Sequence, residues 1–239
     1  MPRVFDQKVT ATMHRVFNDE VGHLFMRKDT QVHCGASDWL LGAVIMSNPG
    51  SYTPKYTAGD WNSFVRGEGP ELLHGWGYPD MTMQNVIAVL QAASADSGYV
   101  LEGKIDVYNL SAVVQPNGED AETYHKHAVN SLSQQNCDEL LGEPWMHSQD
   151  KFEHYISNNC YHFVMIGFLD SFLIEKQRQV QQWASSLPNV FYATDHADRW
   201  SHPRRWRTDL LLREQMIDKL ARHFQNTKPS ERKLCHESH

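Results

Sequence analysis

The feature that most constrains this chain is the run from Trp39 to Met46, WLLGAVIM, almost wholly apolar and stopped by Asn48-Pro49-Gly50. A short segment without polar alternation suits a strand buried on both faces, and such strands belong to parallel sheets covered by helices on either side. Three more segments read as strands: residues 105–114 (IDVYNLSAVV), ended by Pro116, then 160–168 (CYHFVMIGF) and 189–194 (NVFYAT). Helical stretches lie between them. Thr82 is placed to cap a helix carrying Val86, Ile87, Val89 and Leu90. Residues 119–141 read as a polar surface helix, 169–185 as a helix following its strand without pause, and 208–224 as a last helix. Upstream, Val4, Phe5, Val9, Met13, Val16, Phe17, Val21, Leu24 and Phe25 recur mostly at intervals of three or four, which predicts a helix over residues 4–25 within an N-terminal helical segment, residues 1–31. Residues 51–80, rich in Gly, Pro, Tyr and Trp and without period, read as a long loop of the kind kept for function. Residues 226–239 form a polar, frayed tail. The expectation is one α/β domain over residues 1–239, with a three-layer α/β/α architecture around a central, mainly parallel four-stranded sheet. Ligand-binding loops then fall at the carboxyl ends of the strands.

At 239 residues and 41% hydrophobic content the chain can bury one sizeable core. Cys34, Cys137, Cys160 and Cys235 form no C-x-x-C pair and fit neither a zinc ribbon, a disulfide framework nor an iron-sulfur cluster, so the expectation is a reducing setting, no metal and no cofactor. The start lacks a signal-peptide progression and no run approaches the ~18 apolar residues that cross a membrane. A cytoplasmic, monomeric protein without membrane attachment is expected. The net charge of -7 argues against a nonspecific nucleic-acid coat protein but leaves room for a local basic patch. Between Asp198 and Arg207 the balance reverses, with Arg199, Arg204, Arg205 and Arg207 interleaved with Trp200 and Trp206.

Three of the four expected strand ends carry unusual polar residues: Asn48, Asn109, and the group Asp195, His196 and His202. Their surroundings carry a resemblance. Met46-Ser47-Asn48-Pro49-Gly50 resembles the first motif of the mismatch-specific uracil and thymine glycosylases, Gly-Ile-Asn-Pro-Gly. Tyr108-Asn109-Leu110-Ser111-Ala112-Val113 resembles the uracil-DNA glycosylase strand whose asparagine reads the base, and Val164-Met165-Ile166-Gly167 stands where that superfamily has its third strand. Ser201-His202-Pro203 resembles the second catalytic motif, His-Pro-Ser, and the helix from Met81 looks like the one after the first loop. In these respects residues 39–210 are similar to the uracil-DNA glycosylase superfamily, and the same features also resemble an uncharacterised bacterial family. Three positions depart from the pattern: Met46 replaces Gly, Asn48 stands where the most active uracil enzymes have Asp, and Arg204 replaces the Ser of His-Pro-Ser.

The resemblance implies hydrolysis of a base-sugar bond in DNA, which leaves an oxocarbenium-like sugar and an anionic base. Asn48 would hold the attacking water through its amide carbonyl, although in an arbitrary protein Asn-Pro usually caps a turn. His202 would donate from a neutral ring to the departing base; with 14 histidines in the chain, only its motif singles it out. Asp195 and His196 are second candidates in the same loop, Asp195 as a catalytic group. Asn109 would pair with the extruded base, and Gly50 in place of a blocking tyrosine would open the pocket to a 5-substituted pyrimidine, unless Tyr52 or Tyr56 refills the gap. Ser201, Arg204, Arg205 and Trp206 would grip DNA, Trp206 filling the vacated stack, although core packing is the commoner role of a Trp. The partner is then DNA bearing a damaged or modified base, possible settings including anti-phage defence. Other readings are a non-catalytic reader of modified bases, a hydrolase of free nucleosides or nucleotides, and an interaction domain.

Overall fold

The computed structural model describes residues 5–115, 117–135 and 137–227. Val4, Pro116 and the polar tail from residue 228, with Cys235, lie outside them. The strands are β1 (Val9–Asn18), β2 (Gly22–Cys34), β3 (Leu40–Met46), β4 (Tyr56–Thr57), β5 (Leu72–Gly77), β6 (Gly103–Asn109), β7 (Phe163–Ile166) and β8 (Val190–Phe191). The helices are α1 (Trp61–Val65), α2 (Met81–Ser97), α3 (Gly118–Gln135), α4 (Gln149–Asn158), α5 (Ile174–Ala184) and α6 (Leu210–Asn226). One mixed sheet of eight strands runs in the order β4-β5-β1-β2-β6-β3-β7-β8.

The α/β class stands, but the sheet has eight strands where four were expected, and half of it is antiparallel. The four segments read as strands became β3, β6, β7 and β8, whose mutual pairings are all parallel. β2 pairs antiparallel with β6 and carries β1, β5 and β4 beyond it. The expected helix over residues 4–25 is instead the β1–β2 hairpin. Its turn is set by Asn18, whose Oδ1 accepts from the amides of Glu20 and Val21, and by Gly22 at φ 77°, a left-handed position that Gly adopts without strain. The alternation that would mark β1 is hidden because most of its residues are buried on both faces, including Thr12 and Arg15. The expected loop over residues 51–80 contains β4, α1 and β5.

Alternate residues of β3 divide the core. Val44 and Met46, with Ile105, Val107 and Met165, pack against Val86, Ile87 and Leu90 of α2 and Met216 and Leu220 of α6. Ala43 and Ile45, with Val164 and Ile166, pack on the opposite face against Phe152 and Ile156 of α4 and Val180 and Ala184 of α5. Period-2 alternation of side chains explains why one strand serves both layers. α3 covers the hairpin, Ala128 and Leu132 meeting Val16, Leu24 and Met26. No helix among the described residues is long and apolar enough to cross a membrane.

Two boundaries bear on the site. β6 stops at Asn109, where its register on β2 breaks; the chain rejoins β2 two residues out of step, the Ala112 carbonyl accepting from the Arg27 amide and the Val114 amide donating to the Phe25 carbonyl. α5 starts at Ile174, not directly after β7, and the intervening loop is held by Gln177, which donates to the carbonyls of Leu169 and Phe172. Gly167, at the end of β7, lies directly beneath the 201–203 turn. A Cβ there would come 2.3 Å from the Ser201 carbonyl oxygen and 3.0 Å from Pro203 Cδ. That contact is with backbone, so it cannot be relieved by a rotamer. Gly167→Ala should therefore lower unfolding stability by ~1–3 kcal/mol, as overpacking does, measurable by urea denaturation; an unchanged midpoint would show that the turn is free to lift.

Candidate functional site

The carboxyl ends of β3, β6 and β7 are tied together by backbone bonds that continue past the strands. Leu110 and Ser111 donate to the carbonyls of Met46 and Ser47 at 2.9 and 3.1 Å, and Gly167 donates to Ile45 at 3.1 Å. The Ser47 hydroxyl accepts from the Leu169 amide at 2.8 Å. This lattice fixes the Asn48-Pro49-Gly50 turn from both sides.

The 201–203 turn arrives from β8. Ser201 pairs with Phe168 in a parallel bridge and donates its amide to Ala193 at 2.8 Å, while Asn85 of α2 donates to the Pro203 carbonyl at 3.0 Å. The two turns meet around one cavity of about 320 Å³, with Arg27, Asn48, Gly50, Asp80, His202 and Arg204 among its walls. That size is at the lower end for small-ligand sites, and the polar groups converge as such sites require. A larger depression of about 560 Å³ at the β1–β5 edge is shallow and holds none of these residues.

Each of the two central side chains has one polar atom engaged and one uncommitted. Asn48 donates through Nδ2 to the Gln115 carbonyl at 2.7 Å, and its Oδ1 has no hydrogen bond among the described residues. His202 caps the 3₁₀ turn Pro203–Arg207, and its Nδ1 accepts from the Arg204 amide at 3.2 Å. An accepting Nδ1 carries no proton, so the neutral ring holds its hydrogen on Nε2. Burial, and secondarily the Arg204 charge, push the His202 pKa down to about 3. The ring is therefore neutral at physiological pH and a donor through Nε2.

Gly50 lines the cavity at φ 65°, the left-handed region. A Cβ there would meet only Asp80 Oδ2, at 3.8 Å, so the backbone conformation and not lack of space calls for Gly. Tyr52 does not refill the position: it is buried with its hydroxyl donating to the Val9 carbonyl at 2.7 Å. Tyr56 stacks on Trp76 at the distant β4–β5 edge.

Several expected site residues serve the frame instead. Asp195 accepts from Arg199, from Arg205 at 2.9 Å and from the amides of Ala197 and Arg199, and those bonds hold its carboxyl well below the usual carboxylate range. It is the clamp of the 195–205 loop, and it is not a wall of the cavity. Arg205 is committed to that clamp, with Asp170 and Asp209 also near it. Trp206 is 1% exposed within the α2–α6 core and cannot reach DNA without unpacking it, which corrects its expected role. Ser201 is fully buried. Asn109 pairs in register with Met46 but is not in the wall, and its Oδ1 is buried without a hydrogen-bond partner among the described residues. His196 is exposed.

Two wall residues escaped the sequence. Asp80 caps α2, the role expected of Thr82, through Oδ1 accepting from Met83 at 2.9 Å, and this leaves Oδ2 beside Gly50. Arg27, 2% exposed, projects from β2 over the Tyr52 ring at 5.0 Å. The Asx-cap spacing could flag Asp80; Arg27 lies in the N-terminal segment expected to be helical and belongs to no motif that would single it out.

The His202 environment gives a pH signature. Its folded pKa lies below the unfolded value of about 6.5, so the unfolded chain binds the extra proton between pH ~6.5 and ~3. Stability contributed by the neutral ring is complete above that window and lost as pH falls through it, with a slope of up to ~1.4 kcal/mol per pH unit. His202→Gln should flatten the dependence of unfolding free energy on pH between 4 and 6; an unaltered profile would place His202 in solvent. In comparisons with known proteins, no family model, curated protein or solved structure matches this chain.

Proposed function

We propose that this protein is a DNA glycosylase that hydrolyses the N-glycosidic bond of an extruded, 5-substituted pyrimidine on a uracil-DNA glycosylase-like fold, leaving an abasic site. The observation that carries this reading is that Asn48 and His202, from distant turns, line one cavity, each with one uncommitted polar atom of opposite sense. An acceptor at Asn48 Oδ1 suits a water aimed at the sugar carbon. A neutral donor at His202 Nε2 suits the oxygen of a base departing with its electron pair, without prior protonation of that base. Asn48 lacks the negative charge that would steady the cationic sugar, and Asp80 Oδ2, across Gly50, is the carboxylate available for that task and for taking the water proton.

The open position at Gly50 favours a pyrimidine with a group on C5, which fits bulky modified bases of foreign DNA and hence a role in anti-phage defence. Of the basic segment, Arg204 and Arg207 remain to contact phosphates, since Arg199 and Arg205 are paired. Met81, 51% exposed beside Arg207 and the cavity, replaces Trp206 as the apolar side chain that would fill the vacated stack. The neutral Asn48 also favours a second reading, a reader that binds the extruded base without cleaving it.

Duplexes bearing uracil, a thymine mismatch or 5-substituted cytosines, incubated with the protein and then treated with alkali, separate these. Strand breaks at a 5-substituted base, reduced at least ~100-fold in both Asn48→Ala and His202→Ala, in line with the loss of a transition-state donor, are expected. Cleavage of uracil alone would exclude the 5-substituted class, and tight binding without breaks would favour the reader. Replacing Arg204 and Arg207 by Ala should each reduce the slope of log K against log salt by about 1, whereas Arg205→Ala should act on stability. An unchanged slope in the first pair would move the DNA elsewhere.

A further inference from the structure

Arg27 is built into the cavity wall without the partners that buried arginines require. The side chain is 2% exposed, Nε and Nη1 are enclosed with no hydrogen-bond partner, and Nη2 makes no hydrogen bond among the described residues. It forms no ion pair among them either. The contrast with Arg15, also buried, is direct: Arg15 donates to the carbonyls of Phe64, Glu68 and Gly69 at 2.6, 3.1 and 3.2 Å. Burial lowers the Arg27 pKa to about 10, against the opposing pull of Asp80, so the group remains a cation at neutral pH.

Its placement is fixed on every side. Asp29, at φ 48°, is the extra residue of a bulge where the β1–β2 register shifts between Thr10 and Thr12. Bulges re-aim side chains, and this one lets Arg27 share a buried face with Thr30 and Val32. Tyr52, anchored by its hydroxyl to Val9, forms a rigid platform under the guanidinium. Asp80, the nearby acid, has one oxygen committed to capping α2. The second cation of the wall, Arg204, is exposed, and His202 is neutral. Arg27, Arg204 and Asp80 thus sum to one positive charge, and Asp80, although close enough to act on Arg27 through space, makes no ion pair or hydrogen bond with it. A buried ion without a partner is costly enough that a bound counter-charge is its natural explanation.

We infer that the cavity is an oxyanion-binding site anchored by Arg27, which receives a phosphate or carboxylate group carried by the ligand. This goes beyond the glycosylase reading and does not require it: any ligand of the cavity, free or part of DNA, would present this group to the guanidinium.

The test uses the intact protein. Inorganic phosphate, acetate, uridine 5′-monophosphate and uridine are titrated by calorimetry into wild type, Arg27→Gln, Arg27→Lys and Arg204→Ala. Phosphate or acetate should bind wild type, and the preferred one tells a phosphate source from a carboxylate source. The nucleotide exceeding the nucleoside would point to a nucleotide phosphate. Affinity should fall at least tenfold in Arg27→Gln, less in Arg27→Lys and less again in Arg204→Ala. Should Arg27→Gln fail to fold, the arginine Nε–H resonances of wild type, followed by NMR during the same titration, give the answer: the Arg27 signal should shift. No binding of either anion to wild type, equal binding by Arg27→Gln, or an unmoved Arg27 resonance would each overturn the inference.

Discussion

The close approach of the Ser201 carbonyl to Gly167 is the contact on which the site depends. A strand end without a side chain lets the turn that follows the neighbouring strand β8 lie flat on it, which brings His202 to the end of β3. The Asp195–Arg199–Arg205 clamp closes the loop leading to that turn, and Asn85 of α2 braces it from the other side. Without these three restraints the imidazole would belong to a solvent loop, and its Nδ1 would have no fixed partner.

Electrostatically the cavity combines unlike groups in a small space. Its imidazole is held neutral by burial, its amide is oriented by Gln115, one carboxylate is bound to a helix terminus, and one guanidinium is stranded. Such a wall is preorganised, because each group is oriented by backbone or by a fixed ring before any ligand arrives. Preorganised dipoles act on developing charge without reorganisation, so under the proposed reading a neutral histidine and a neutral asparagine would suffice for a reaction that separates charge.

The parallel half of the fold was legible because β3 and β7 are apolar runs ended by turns, and because the turns after β3 and β8 carry Asn48 and His202, which the sheet topology gathers. The antiparallel half was not. In β1 and β2, burial on both faces and a bulge at Asp29 break the alternation, and the remaining hydrophobic spacing mimics a helical period. Asn48, Gly50, His202 and Arg204 share the cavity that their turns suggested, whereas Asp195, Arg205 and Trp206 went to the frame. Local sequence identifies a turn with polar residues; which of them faces the cavity depends on pairings set by distant elements. Arg27 is the extreme case, since its significance lies in what it fails to touch.

The most direct measurement is a crystal structure of the Asn48→Ala protein with a duplex containing a 5-substituted cytosine. The expected result is one nucleotide rotated out of the helix, its base between position 48 and His202 with the C5 group beside Gly50. DNA bound elsewhere with all bases stacked, or a cavity closed by the 201–203 turn, would contradict the account.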